Sequence, residues 1–244
     1  MPSEFPVIVA QGVTGIVVRF SDRLTEAGNR ATLAFRDAVE AAEIDGVEEC
    51  ASALGSVLVR FDPLQSSFDL VVGQLRKLLD QNDFYAAPLP PNRRLWRIPA
   101  VFGGVYGPSL EDAATRAGLT TEEAIHDLTS SRLRVMALGF APGQPYLGEL
   151  PEPWNFPRLQ DLINVPEGAI AAAIRQLVLF ANDSPTGWAH VGQTAFRCFR
   201  PEDERSIPLR PGDEVKFDAI TPEAFEALRA RDPSGGGATF EVLP

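Results

Sequence analysis

Short apolar runs and helical stripes alternate through the first third of the chain, and the points where the period changes lay out its elements. Val7–Ala10 and Ile16–Phe20 are runs of strand length set apart by Gly12 and Gly15, which suits a hairpin. Ala31, Phe35, Ala38, Val39 and Ala42 then share one side of a helix. Asp45-Gly46 supplies its stop, because glycine accepts the left-handed backbone that ends helices. Val57–Phe61 predicts another strand. Phe68, Val71, Val72, Leu75, Leu78 and Leu79 recur at three and four residues behind the Ser66-to-Asp69 capping spacing, so a second helix follows.

The segment Ala86–Asn92, AAPLPPN, reads as a semi-rigid linker, since its three prolines remove amide donors and favour extended backbone. The expected domains are residues 1–88, α+β, and residues 89–244. Past the linker, Leu95–Val101 predicts a strand, and Ser109–Ala117 and Thr121–Leu128 predict two capped helices, the first closed by Gly118. From Arg132 onward the pattern is one of short apolar runs punctuated by Pro and Gly: RLRVMALGF, AIAAAIRQLVLF, QTAFRCF and DEVKFDAI. Such repetition predicts a β-barrel or sandwich rather than a parallel α/β sheet. Pro211-Gly212 suits a type II turn, and Thr221-Pro222 opens a last helix before a glycine loop and a closing strand.

Composition narrows the function classes. With 244 residues, 45% of them hydrophobic, the chain can bury its own core, and 22 Lys+Arg against 33 Asp+Glu leave a formal charge of −11. That sign repels phosphate backbones and anionic lipid heads, so neither nucleic acid nor a membrane is expected as a partner. Cys50 and Cys198 are far apart and form no CxxC pair, which points to a reducing compartment. MPSEFPVIVAQ has no basic region and too short an apolar run for export, and no stretch approaches the roughly 20 apolar residues of a membrane span. The expected location is the cytoplasm. Two histidines, His126 and His190, are too few for a zinc cluster, and no metal site is expected.

Candidate chemistry gathers in Gly139–Gly148, GFAPGQPYLG. Its glycines let amides approach a ligand, its prolines stiffen the backbone, and Phe140 and Tyr146 can wall a pocket, so the loop could offer amides to an anion or a developing oxyanion. It is neither a Walker A loop nor a dinucleotide fingerprint. The alternative is a tight connection packed on aromatic anchors. Asp183, Ser184 and His190 offer the residue types of a triad without the nucleophile elbow; a Ser184-Pro185 turn with Trp188 buried and His190 as a wall residue is the plainer reading. Arg132 and Arg134 alternate before the glycine loop and share a face, where they either clamp an anion or form ordinary ion pairs. No general acid/base pair stands out.

The GFAPGQPYLG segment resembles the KipI and allophanate hydrolase subunit 1 family, which includes the B component of 5-oxoprolinase and whose loop reads close to GFxPGFxYLG. The likeness continues in IPAVFGGVYGP (Ile98–Pro108), in the GLT-x-EEAI pattern, in Val165-Pro166-x-Gly168, in Ser184-Pro185-x-Gly187-Trp188, in Val191-Gly192 and in LRPGD (Leu209–Asp213). It implies a ferredoxin-like α+β N-terminal domain followed by a cyclophilin-like β-barrel. It also implies work through a partner: a second barrel subunit, resembling allophanate hydrolase subunit 2 or the C component of 5-oxoprolinase, in a complex that opens a small amide or lactam with ATP. The ATP is held either by this chain or elsewhere in the complex. One branch of the family instead inhibits a histidine kinase by binding it, so a non-catalytic inhibitor or scaffold is the alternative.

Carried over by motif, the ligand cleft would involve Arg134, Gly139, Phe140, Pro142, Gly143, Tyr146 and Gln176. Pro145, Gly148, Ser184, Pro185 and Trp188 would shape its loops, and no catalytic residue is assigned. The chain departs from the family at several polar or glycine positions. Leu128 replaces a histidine; Leu177, Val178 and Phe180 replace the threonine, glycine and tyrosine of GxQTGIYP; and of two arginines before the VPxG segment only Arg158 remains, with Leu162 at the other. These changes imply a more apolar ligand, weaker binding, or a scaffold role alone.

Overall fold

The computed structural model describes residues 5–243, which divide into two compact units after Pro91. In the first unit, strands β1 (Val7–Gln11), β2 (Gly15–Arg19), β3 (Val47–Ser52) and β4 (Ser56–Phe61) form an antiparallel sheet in the order β1-β2-β4-β3. Helices α1 (Glu26–Ala41) and α2 (Phe68–Gln81) complete it. Strand alternation decides the core: Ile16 and Val18 of β2 stand opposite Val59 and Val57 of β4, and these four, all fully buried, pack against Ala31, Phe35 and Val39 of α1 and Val71 and Leu75 of α2. The cap of α2 lies one residue later than the Ser66 spacing suggests. Ser67 holds the extended conformation and its hydroxyl accepts from the Leu70 amide. The element order is ββαββα, whereas a ferredoxin-like unit runs βαββαβ, so this topology does not confirm the ferredoxin-like expectation.

The second unit is a seven-stranded β-barrel with three helices. Strand β5 (Arg94–Phe102) is followed by α3 (Leu110–Ala117), closed by Gly118 in the left-handed conformation, and by α4 (Thr121–Ser130), whose Thr120 and Glu123 form a reciprocal capping box. Next come β6 (Leu133–Leu138), β7 (Pro145–Gly148), β8 (Ile163–Val165), β9 (Ala169–Ala173), β10 (Gln176–Leu179), β11 (Ser184–Thr186), β12 (Ala189–Gln193) and β13 (Glu214–Ala219). Helix α5 (Pro222–Arg231) and β14 (Thr239–Val242) end the chain. The barrel order is β12-β9-β10-β7-β6-β13-β5, and Gly192 and Gln193 of β12 pair with Phe102 and Val101 of β5 to close it. Strand β14 adds to β5 outside the closure, and β8 and β11 form a separate pair.

Two expected runs divide differently. AIAAAIRQLVLF is a hairpin of β9 and β10, turning at Ile174 and Arg175, both with positive φ. QTAFRCF is strand only to Gln193. There the Thr194 hydroxyl donates to the Pro99 carbonyl and accepts from the Phe196 amide, which turns the chain out of the sheet.

The barrel core contains Ile98, Leu133, Val135, Leu147, Ile170, Leu177, Leu179, Val191, Val215 and Phe217. Alternate residues of the same strands, Ala169, Ala171, Ala173 and Val178, face outward into a second apolar cluster with Val165, Phe180 and Trp188. A buried carboxylate ties the strands together. Asp213, 2% exposed, accepts from the Arg94 backbone and guanidinium, the Trp96 indole and the Arg210 amide. Its backbone carbonyl also accepts from the Val135 amide. Removing the carboxylate alone would strand a buried guanidinium, so Asp213→Ala should destabilise the barrel by about 3–5 kcal/mol, whereas Arg94→Met combined with Asp213→Leu should recover only part of that loss, because the Arg94 and Arg210 amides and the Trp96 indole still lack their acceptor. Urea unfolding of the three proteins checks this.

Candidate functional site

The glycine-rich segment is half loop and half strand. Residues 145–148 are not loop: Tyr146, Leu147 and Gly148 pair with β10 on one side and with β6 on the other, which makes β7 an interior barrel strand. The loop proper is residues 139–144. It is closed by its own amides, with Gly139 N–H donating to the Gln144 carbonyl at 3.0 Å and Gln144 N–H to the Ala141 carbonyl at 3.1 Å. Those two amides are therefore not offered to an anion, contrary to the expectation for Gly139. Gly143 is required for another reason. At φ +72° a Cβ there would lie 2.3 Å from the Cys198 carbonyl oxygen.

Phe140 holds a left-handed backbone at φ +71° and is 78% exposed. An aromatic residue in that conformation is strained by about 1–2 kcal/mol, a state that concentrates at functional positions. Its ring stands at the edge of a cavity of about 200 Å³ on the outer face of the barrel. Tyr146 of β7, Val178 and Phe180 from β10 and just beyond it, and Pro185 and Thr186 of β11 line this cavity, together with Gln144, Leu162 and Trp188. Arg158, also in the lining, holds its guanidinium 5.0 Å from the centroid of the Trp188 ring. The segment that carries Arg158 is held in place by the Leu159 amide, which donates to the Gly187 carbonyl at 2.6 Å.

The structure thus brings Phe140, Tyr146, Pro185 and Trp188 together from two stretches of sequence, and it adds Arg158, Leu162, Val178 and Phe180. Pro142 is exposed, outside the lining. Arg134 and Gln176 are elsewhere on the same face. Both stand in register with Gly148, two residues further along the strands than Tyr146 and Val178. Gly139 lies five residues from Arg134 along an extended strand, about 16 Å at the usual rise, so Arg134 and the loop are not at one point. Arg132 pairs with Glu214 at 2.5 Å.

The triad residue types do not assemble. The Asp183 carboxylate accepts from the Glu167 amide, Ser184 begins β11 instead of a turn, and its hydroxyl accepts from Asn182 at 3.3 Å. His190, 5% exposed on β12, has its pKa pushed below the usual histidine range, chiefly by burial. Leu128 is fully buried in the barrel core, and Leu177 faces that core rather than the cavity. Among the described residues no group of His, Cys, Asp and Glu could hold a metal ion, and no helix is long and apolar enough to cross a membrane.

Residues 6–209 match the family described as carboxyltransferase domain, subdomain C and D. The chain belongs to that family, in the branch that resembles the B component of 5-oxoprolinase. It is 30% identical over 229 residues to the 5-oxoprolinase B component of Bacillus subtilis (strain 168), covering 89% of this chain and 94% of the relative. The crystal structure of TTHA0988 is similar at 30% identity and a TM-score of 0.71, over 85% of this chain; this chain spans only 40% of that longer one. The Kluyveromyces lactis urea carboxylase shares the fold at 18% identity and a TM-score of 0.75, over 97% of this chain and 24% of that one.

The loop geometry generates a paired expectation. Phe140→Gly should leave stability unchanged or raise it by about 0.5–1 kcal/mol, since glycine relieves the left-handed strain. Gly143→Ala should cost about 2 kcal/mol or more, through the contact with the Cys198 carbonyl. Thermal melts of the two variants against the parent protein decide both.

Proposed function

We propose that this chain is a ligand-holding subunit of an ATP-dependent complex that opens a small amide or lactam, and that it acts only with partner subunits, one of them a second, related barrel. The reading is supported by likeness to the B component of 5-oxoprolinase across nearly the whole of both chains. The observation that carries it to a site is the convergence of Phe140, Tyr146, Trp188 and Arg158 on one outer-face cavity.

In such a complex ATP supplies activation of the amide carbonyl oxygen. A cavity of about 200 Å³ whose lining holds one charged residue, Arg158, does not fit a nucleoside triphosphate. Nucleotide binding is therefore not assigned to this cavity. This chain's share is to hold the ligand by apolar contact along its body, with Arg158 toward any anionic group, and to keep water from the covered part. Arg134 and Gln176 stand one step along the same face, past Tyr146, and Gln176 is buried there.

A second reading is favoured by one specific feature. Three cavity positions at which the family motif carries arginine, glycine and tyrosine are here Leu162, Val178 and Phe180, which suits a non-catalytic inhibitor or scaffold that binds without turnover. Co-purification with the second barrel protein, followed by measurement of lactam-dependent ATP hydrolysis, separates the two. The enzyme reading predicts phosphate release in step with ring opening when all partners are present, and none from this chain alone. A stable complex with no phosphate release under any lactam or small amide would overturn it in favour of the scaffold.

A further inference from the structure

The residues of the outer-face cavity divide by exposure into an interior and a rim. Gln144, Val178, Phe180, Thr186 and Trp188 are buried, whereas Phe140, Arg158, Leu162 and Pro185 are exposed. The lining keeps polar groups for an amide or lactam: the Gln144 carboxamide, the Tyr146 phenol and the Thr186 hydroxyl each bring a donor. The rim has another character. Phe140 is 78% and Leu162 70% exposed, so two large apolar side chains stand in water beside one cavity, with Pro185 as a third apolar neighbour.

Phe140 is held in that position. The loop of residues 139–144 is closed on itself by the Gly139 and Gln144 amides, and Gly143 is pressed against the Cys198 carbonyl. A lid needs slack that this loop lacks. Glycine or asparagine would take the φ of +71° at position 140 with less strain, so the fold gains nothing from an aromatic residue there. A rigidly displayed aromatic ring is instead what an interface anchor requires, because its ordering is complete before the partner arrives.

Arg158 adds a charge to the same rim. No carboxylate lies within ion-pair distance of it among the described residues, whereas Arg175 and Arg197 are each paired with two glutamates. The Trp188 ring, its centroid 5.0 Å from the guanidinium carbon, keeps the group in place. A forked bond to a ligand anion takes two of the five guanidinium N–H groups and leaves donors for a second carboxylate. On a chain of net charge −11, that cation among exposed apolar residues selects a partner surface that carries an acidic group.

From exposure, rigidity and charge we infer that this rim is the docking surface for the second barrel subunit. The partner presents an apolar socket for the Phe140 ring and, beside it, a carboxylate for Arg158; Leu162 and Pro185 border the contact and exclude water from it. Docking there also covers the cavity, so the ligand is enclosed between two subunits. The inference rests on the partnership proposed above and names the face and the chemistry through which it forms.

The test is calorimetric titration of the full chain with the purified second barrel protein, without ATP or lactam, so loss of turnover with binding intact falls on the proposed function alone. Phe140→Asn should hold or raise the melting temperature, since asparagine accepts the left-handed backbone, and should weaken association at least about tenfold. Arg158→Gln should weaken it about threefold, and Arg158→Glu at least about tenfold further, because the reversed charge meets the partner's carboxylate. Val105→Thr changes an 86% exposed residue that lines a different cavity, and should leave association unchanged. Association of Phe140→Asn at the parent affinity would overturn the inference and leave the proposed function standing. So would equal affinities of Arg158→Gln and Arg158→Glu, or loss of association in Val105→Thr. No binding by the parent protein would overturn both. Self-association of the parent chain that Phe140→Asn abolishes would give the rim to a second copy of this chain, and the inference would fail.

Discussion

A carboxylate that is almost wholly buried must be matched by donors or it unfolds its surroundings, and Asp213 is matched by five. Those donors come from the start of β5 and from the turn before β13, while the Asp213 carbonyl and the Gly212 amide bond to the two sides of Val135 in β6. Three barrel strands therefore meet at one residue. Arg94, itself 5% exposed, completes the junction by lying over the Trp96 ring at 5.1 Å and the Phe240 ring at 5.3 Å, which joins the added strand β14 to the same point. The charges are compensated where they are buried, and the geometry of the compensation sets how β5, β6 and β13 align.

The cavity depends on that alignment at one remove. Strand β6 carries an irregularity between Val135 and Ala137, immediately after the residue clamped by Gly212 and Asp213, and beyond it Ala137 and Leu138 pair with Tyr146 and Pro145. The clamp thus decides which way Tyr146 and the loop of residues 139–144 face. On the other side, β10 brings Val178 into register with Tyr146. Outward residues of β9 are all alanine, fully buried or nearly so, which allows the β8–β11 pair to lie close and to supply Pro185 and Thr186 as a wall.

What the chain reveals of this before folding is uneven, for physical reasons. Helix ends are local events, so Thr120, Gly118 and the Thr221-Pro222 start can be read from neighbouring residues. The hairpin turn at Ile174 and Arg175 cannot, because neither residue advertises positive φ. The turn is imposed from outside by the Ile174 and Arg175 amides donating to the Phe156 and Trp154 carbonyls, and by Arg175 pairing with Glu149 and Glu152. Strand β7 is hidden in a Gly/Pro-rich segment because its partner β10 is distant in sequence. The motif likeness locates the loop and the neighbourhood of Arg158, but it groups Arg134 and Gln176 with that loop. Only strand register separates them from it. Asp213 is legible only as part of a turn, since four of its five donors come from residues at the start of β5.

Native-state hydrogen exchange of the Arg94 and Arg210 amides tests the organising role of the buried carboxylate most directly, because both donate to its oxygens. If the junction holds the barrel together, these two amides exchange only through complete unfolding of the barrel, with the same denaturant dependence as the slowest amides of β5 and β13. Exchange at the rate of surface loops, insensitive to denaturant, would show that the strands align without it and would contradict the account.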